Sequence, residues 1–282
     1  MKSSNPGDRA QACLPKWAPG ETLASLGPTN PQYWHILVEA KKLAYSDLFR
    51  YNADPDFVSV PVTNLLSAPH AASLCAKFDP HHPAETGPPG GADLKGDTIV
   101  LSTADKEGNM VSWVNSNFSV FGSGITVPGY GFVLHNRGGL FTLDPKSPNV
   151  IAPHKRPFNT LSAGLLMRDG KPAMTVTLMG GDMQAQGHAQ LLVNMIDLGA
   201  NAQAAADMAR FRHNQVSNVL SLESSIYDLV GAPLVAMGHT VRSINGADVG
   251  GVQVIQAVPA EAGFPYYRGA SDFRKDGQAV GW

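Results

Sequence analysis

Charge of one sign, cysteine and long apolar runs are what this chain lacks. Lysine and arginine number 21 against 23 acidic residues, so no basic stripe argues for nucleic acid or for an anionic membrane surface. Only two cysteines occur, Cys13 and Cys75. They have neither CxxC nor metal-ligand spacing, which argues against a disulfide and makes a reducing compartment acceptable. No uninterrupted apolar stretch approaches the length of a membrane span, and the opening MKSSNPGDRAQA has no apolar h-region. The expectation is a soluble, cytoplasmic chain that partners neither nucleic acid nor membrane. What is present is ordinary for a globular protein: 43% hydrophobic and 16% charged residues over 282 positions, enough for one large or two small domains.

Residues 31–49 place Trp34, Ile36, Leu37, Ala40, Ala44 and Leu48 at helical spacing after the start signal Gly27-Pro28-Thr29-Asn30-Pro31, which predicts an amphipathic helix. Asn52 to Asp56 breaks it, and 62–76 reads as a loop leading into a short helix on which Cys75 fills apolar space. From Asp79 to Gly96 the composition is that of a linker, with little to bury. His81 and His82 lie in it without the spacing that converges ligands, so no metal is assigned. TIVLSTAD and NMVSWVNSNF then flank Lys106-Glu107-Gly108-Asn109 as a β-hairpin, and GLLMRDGKPAMTVTLM forms another around Asp169-Gly170. The glycines of FGSGITVPGYGF, between them, read as a chain turning in close quarters rather than a phosphate cradle. Gly180-Gly181-Asp182 opens a helix closed by Gly199, NAQAAADMARF forms a second, and VIQAV is a late strand. The pattern from Thr98 onward is α+β with mainly antiparallel pairing.

Thr98 stands where linker meets strand. Inside an intact chain its hydroxyl is a weak nucleophile without a base. Cutting the Asp97-Thr98 bond would give it a free α-amine of reference pKa about 7.7–8.0, suited to take a proton from its own hydroxyl near neutral pH. Such a nucleophile needs donors for an oxyanion. Gly180 and Gly181, at a strand-to-helix turn, can point two backbone N–H groups at one spot, although a turn needing positive φ is the plainer reading of the pair.

The run GDTIVLSTADKEGNMVSWVNSNFSVFGSGITVPGYGFVLHNRG resembles the segment around the processing site of the γ-glutamyltranspeptidase family. EAKKLAYSDLFRYNADPDF, KRPFNTLSAG, MGGDMQAQGH, ARFRH, LESS and ASDFRKDGQAVGW agree in order, so the resemblance spans about residues 20–282. It implies an N-terminal-nucleophile hydrolase with an αββα sandwich, made as a zymogen that cuts itself into two subunits. Residues 1–97 would be the end of the large subunit plus linker, and 98–282 the small catalytic subunit. Thr98 would be the nucleophile of both self-cleavage and catalysis, Ser116 the hydroxyl that bonds it, and Gly180 with Gly181 the oxyanion hole. No cofactor is implied.

The departures carry information on substrate. The family holds the substrate's α-amino group with an Asn, a Gln and an Asp; the matching positions carry Phe118, Arg137 and Leu140. An ammonium group would meet a phenyl ring, a cation and an aliphatic chain. The two serines that hold the α-carboxylate correspond to Asn159 and Thr160, which still donate hydrogen bonds. Arg137 offers a bidentate fork for a carboxylate, a solvated surface arginine being the plainer alternative. The implied substrate is an amide whose acyl part bears a free carboxylate and no neighbouring amine, of the oxamate or glutaryl kind. MGGDMQAQGH and HNRG look closest to transpeptidase-like amidohydrolases such as oxamate amidohydrolase.

Two further readings stand beside this one: γ-glutamyl hydrolysis or transfer on glutathione-type substrates, and an inactive, truncated remnant. The family's large subunit is much longer on its N-terminal side and contributes an arginine and part of the sandwich, so the fold is expected to be incomplete there. Any signal peptide would also lie in that part. The expected partner is the chain's own large-subunit segment, held as a heterodimer after cleavage.

Overall fold

A computed structural model describes residues 20–86, 97–259 and 266–282. Its helices are α1 (Leu23–Leu26), α2 (Pro31–Tyr51), α3 (Val62–Leu65), α4 (Ala68–Cys75), α5 (Met183–Ile196), α6 (Ala202–Asp207) and α7 (Ser224–Ala236). Its strands are β1 (Asp97–Ala104), β2 (Met110–Phe118), β3 (Ala163–Arg168), β4 (Lys171–Met179), β5 (Phe211–His213), β6 (Val219–Glu223), β7 (Thr240–Ile244), β8 (Gly251–Val258) and β9 (Tyr266–Ser271). The class is α+β. The chain divides into two compact units built from interleaved segments: Met1–Asp93, Arg137–Asn159 and Arg210–Ile244 form one, and Leu94–Asn136, Thr160–Ala209 and Asn245–Trp282 form the other.

In the first unit α2 starts where the sequence signals it. Asn30 caps it by accepting the Gln32 N–H, and Pro31 takes the first helical position, where no N–H is needed. The helix is less amphipathic than its spacing predicts, because from Tyr33 to Lys42 every residue is buried. Its polar side chains persist inside because each is paired. Lys41 Nζ donates to the His213 carbonyl and Gln215 Oε1, both at 3.0 Å, and Lys42 Nζ to the Ala84 carbonyl at 2.8 Å. Helix α7 packs on α2 and on the sheet β5-β6-β7, in which β6 and β7 run parallel. This strand–helix–strand run at 211–244 is absent from the sequence reading, which also extends the second small helix to Phe211. The helix stops at Asp207 because Phe211 is drawn into strand pairing opposite Leu222.

Cys75 corrects a second expectation. It sits on α4 and is buried as predicted, but it is disulfide-bonded rather than an apolar filler. Spacing rules recognise multi-disulfide frameworks; a single bond between distant residues depends only on the fold bringing two Cα atoms within about 6 Å. The chain's other cysteine, Cys13, lies outside the described residues, as does 87–96 of the expected linker.

The second unit is layered. Strands β3-β4-β8-β9 form an antiparallel sheet whose central strand β4 is buried on both faces. The β1–β2 hairpin lies over one face, with Ser102 Oγ 3.5 Å from Thr177 Oγ1 and Ser112 Oγ donating to the Val176 carbonyl at 3.2 Å. Leu178, of opposite parity, faces α5. The helix approaches so closely there that a Cβ on Gly187 would lie 2.4 Å from Leu178 Cδ1. The predicted Asp169-Gly170 turn joins β3 to β4 with both residues at positive φ, 52° and 76°, as a two-residue hairpin requires.

Candidate active site

The hairpin is closed by Asp105, whose carboxylate accepts from both the backbone and the side-chain nitrogen of Asn109. From there the ladder runs in register from Ala104 opposite Met110 to Thr98 opposite Ser116. Thr98 is 6% exposed, and its hydroxyl donates to Ser116 Oγ at 3.0 Å. The expected nucleophile and its expected partner are thus brought together by strand pairing alone. Beyond Thr98 the register slips, so that Asp97 faces Phe118 and Asn117 has no ladder partner. Phe118 turns to φ 76°, donates its backbone N–H to Ser116 Oγ at 2.9 Å and buries its ring, which is 2% exposed.

At the end of β4, Gly180 and Gly181 adopt φ 128° and 61°, a conformation that a side chain would strain. Their carbonyls accept from Met183 and Gln184 at 3.1 Å, which starts α5, and Asp182 caps nothing with its side chain. The two glycines therefore sit at a helix N-terminus, where the dipole favours negative charge. On α5, Gln184 Oε1 accepts the Ser162 N–H at 2.8 Å, and His188 Nδ1 lies 3.4 Å from Ser162 Oγ. The segment that begins at Thr160 is held in this way against the helix that begins at the two glycines. Among the described residues, Gln184 Nε2 and His188 Nε2 are buried without a hydrogen-bond partner. Burial pushes the His188 pKa down to about 4, so the ring is neutral. Gln184 and His188 lie within MGGDMQAQGH, one of the stretches that carry the family resemblance, but nothing in that stretch marks them as partners of Ser162.

The remaining expected residues, Arg137, Leu140 and Asn159, belong to the first unit. Arg137 and Leu140 occupy one 3₁₀ turn. Asn149 ties that turn to the segment of Asn159: its Nδ2 donates to the Leu140 carbonyl at 2.7 Å while its Oδ1 accepts the Phe158 N–H at 2.8 Å. Phe158 stacks on Phe49, and Asn52 donates to the Asn159 carbonyl. Nearby, Asp54 accepts from Arg156, which holds its carboxyl well below the usual range. Arg137 is 4% exposed, so it is not a solvated surface arginine. Burial lowers its pKa, yet a guanidinium stays charged.

Among the described residues one group has the composition of a metal site: His35 and Glu39 on α2, with His239. Its donors are already engaged. His35 Nδ1 lies 2.8 Å from His239 Nε2, Glu39 Oε1 lies 2.7 Å from Lys42 Nζ, and Glu39 Oε2 accepts the Ala84 N–H. The lysine supplies the positive charge that a metal would bring. Burial accordingly lowers the pKa values of both histidines and raises that of Glu39.

The γ-glutamyltranspeptidase family profile matches residues 16–282. The oxamate amidohydrolase proenzyme of Klebsiella pneumoniae is 32% identical over 258 residues, covering 90% of this chain and 48% of its own. The cephalosporin acylase of Bacillus halodurans superposes with a TM-score of 0.81 at 32% identity, over 99% of this chain and 50% of that one. A γ-glutamyltranspeptidase of Pseudomonas nitroreducens, solved with L-DON, superposes with a TM-score of 0.55 at 28% identity, over 65% of this chain and 97% of that one. The chain spans about half the length of the curated relatives it matches. With the family profile running over nearly all of its residues, the chain belongs to the γ-glutamyltranspeptidase family.

Proposed function

We propose that the protein is a self-processing amidohydrolase with Thr98 as nucleophile, acting on an amide whose acyl part carries a free carboxylate. The observation that carries this reading is the buried contact from the Thr98 hydroxyl to Ser116, placed one bond from a slip in the ladder. In the first step Thr98 Oγ attacks the carbonyl carbon of Asp97. The C–N bond breaks, and the proton shed by the hydroxyl ends on the Thr98 nitrogen. Water then cleaves the Asp97 ester, leaving a carboxylate and a Thr98 residue with a free amine. In turnover that amine takes the hydroxyl proton as Oγ attacks the substrate amide and passes it to the departing nitrogen. The N–H groups of the Gly180-Gly181 turn receive the oxyanion. Water resolves the acyl ester to the acid.

Processing is supported by proportion. Residues 98–282 make 185 of the 282 positions, the same share of the chain that nearly the whole Pseudomonas nitroreducens chain matches. Residues 1–97 would remain with them as the second piece of a heterodimer. The carboxylate preference rests on Arg137, a buried cation tied through Asn149 to the segment of Asn159. The rival, a γ-glutamyl hydrolase or transferase acting on glutathione-type substrates, draws on the family itself. Against it stands Phe118, whose ring fills core where the family places an amine acceptor.

A denaturing gel tests the first half: the wild type yields a fragment whose N-terminal residue is Thr98, and Thr98→Ala stays whole. An uncut wild type points to an inactive remnant. Ammonia release from oxamate, compared with turnover of a γ-glutamyl anilide, tests the second half, and preference for the anilide hands the site to the rival.

A further inference from the structure

We propose that Phe118 is a positioning residue for self-cleavage, acting through its backbone conformation; this rests on the reading of Thr98 as the self-cleaving nucleophile. The register slip falls on the Asp97–Thr98 bond itself, with Ser116-Asn117-Phe118 spanning what one step covers on β1. A β-bulge of this kind re-aims side chains and removes the local peptide from regular ladder geometry. Phe118 completes it at φ 76°, a region that a bulky aromatic residue enters only under constraint. The constraint is visible, since the ring is locked in core and cannot follow the backbone back to an extended conformation.

The left-handed turn carries the Phe118 N–H away from the facing strand and onto Ser116 Oγ, two residues earlier in its own strand. A serine oxygen has two acceptor sites. The amide takes one and the Thr98 hydroxyl the other. The order of causes is therefore core packing of the ring, backbone turn, orientation of Ser116, orientation of the Thr98 hydroxyl. The nucleophile's proton is directed at Ser116, and its lone pairs turn away from that oxygen. Phe118 joins the bulge, the core and the Ser116 hydroxyl in one position.

Phe118→Gly and Phe118→Ala test this as a pair, because both delete the ring and only glycine enters positive φ freely. Self-cleavage of the full chain is timed on a denaturing gel, with the thermal midpoint of each variant measured alongside. The expected result is cleavage about tenfold slower in Phe118→Ala than in Phe118→Gly at similar midpoints, with Phe118→Asn ranking beside glycine. Equal rates, or rates that follow stability alone, overturn the inference. Should neither ring deletion fold, amide exchange at Phe118 in the uncut Thr98→Ala background decides. Protection should be lost on adding Ser116→Ala and regained with Ser116→Thr, and protection unchanged by Ser116→Ala overturns it. A wild type that never cuts overturns the reading of Thr98 first, an outcome distinct from equal rates in the pair.

Discussion

Arg137 shows how one residue's role depends on burial. A guanidinium that is 4% exposed on a short turn has lost most of its hydration, and its pKa is lowered for that reason. It keeps its charge, so an anionic acceptor is worth more to it than to a surface arginine. On the proposed reading that acceptor is the substrate carboxylate, and charge-assisted hydrogen bonds of this kind contribute about 1.5–3 kcal/mol. Arg137→Gln should therefore raise KM for oxamate by about one to two orders of magnitude with kcat nearly unchanged. Arg137→Lys should recover only part, because a point charge lacks the planar fork. A fall in kcat with KM unmoved would place Arg137 outside substrate binding. Thr98 was legible in the sequence as the residue where linker meets strand, and Ser116 only through the family resemblance, its register opposite Thr98 being set by the paired strands. The burial of Arg137 was not, since nothing local distinguishes a loop arginine that is covered from one that is solvated.

At the scale of the element, α5 carries both the turn of the two glycines and the pair that holds Ser162. Its existence was legible from glycine punctuation, and its inward polar residues were not. His188 on this helix has its pKa pushed down to about 4 by burial, against an ordinary 6.5. Below pH 6.5 the unfolded chain takes up a proton that the folded chain refuses until about pH 4. The stability is thus whole above 6.5 and is lost as pH falls toward 4. At pH 4.5 this one group should cost on the order of 2 kcal/mol. His188→Asn should flatten the dependence of the urea midpoint on pH between 6.5 and 4.5, and an unchanged slope would show that His188 is not the group responsible. His239, lowered to about 3, acts in the same direction in the first unit and accounts for a part of the slope that remains.

Across the whole molecule the feature with the largest consequence is the outer face of the β1–β2 hairpin. Its inner residues pack on β4, while Ile99 and Trp113 stand 66% and 58% exposed, with Leu101 and Val111 beside them. Among the described residues β1 and β2 pair only with each other, so both strands present an open edge. An apolar face with two free edges favours association with another chain. At micromolar concentration the protein should sediment above its 29.8 kDa monomer and bind a hydrophobic dye. Leu101→Lys combined with Trp113→Lys should reduce both effects without changing the circular dichroism spectrum. A dye-silent, monomeric wild type would show the face to be covered in solution.

By itself the sequence determined the helix from Pro31, the two hairpins with their turn residues and the two-glycine start of α5. Each is decided within a few residues by capping, alternation or positive φ. Tertiary structure decided the rest. The middle of α2 is buried on all sides because its polar groups find distant partners in His213, Gln215 and Ala84. Cys75 is oxidised, Phe211 leaves a helix for a strand, and Phe118 turns left-handed because its ring is held in core. These outcomes depend on which segments meet, and contacts between residues far apart in the chain leave no periodic trace along it.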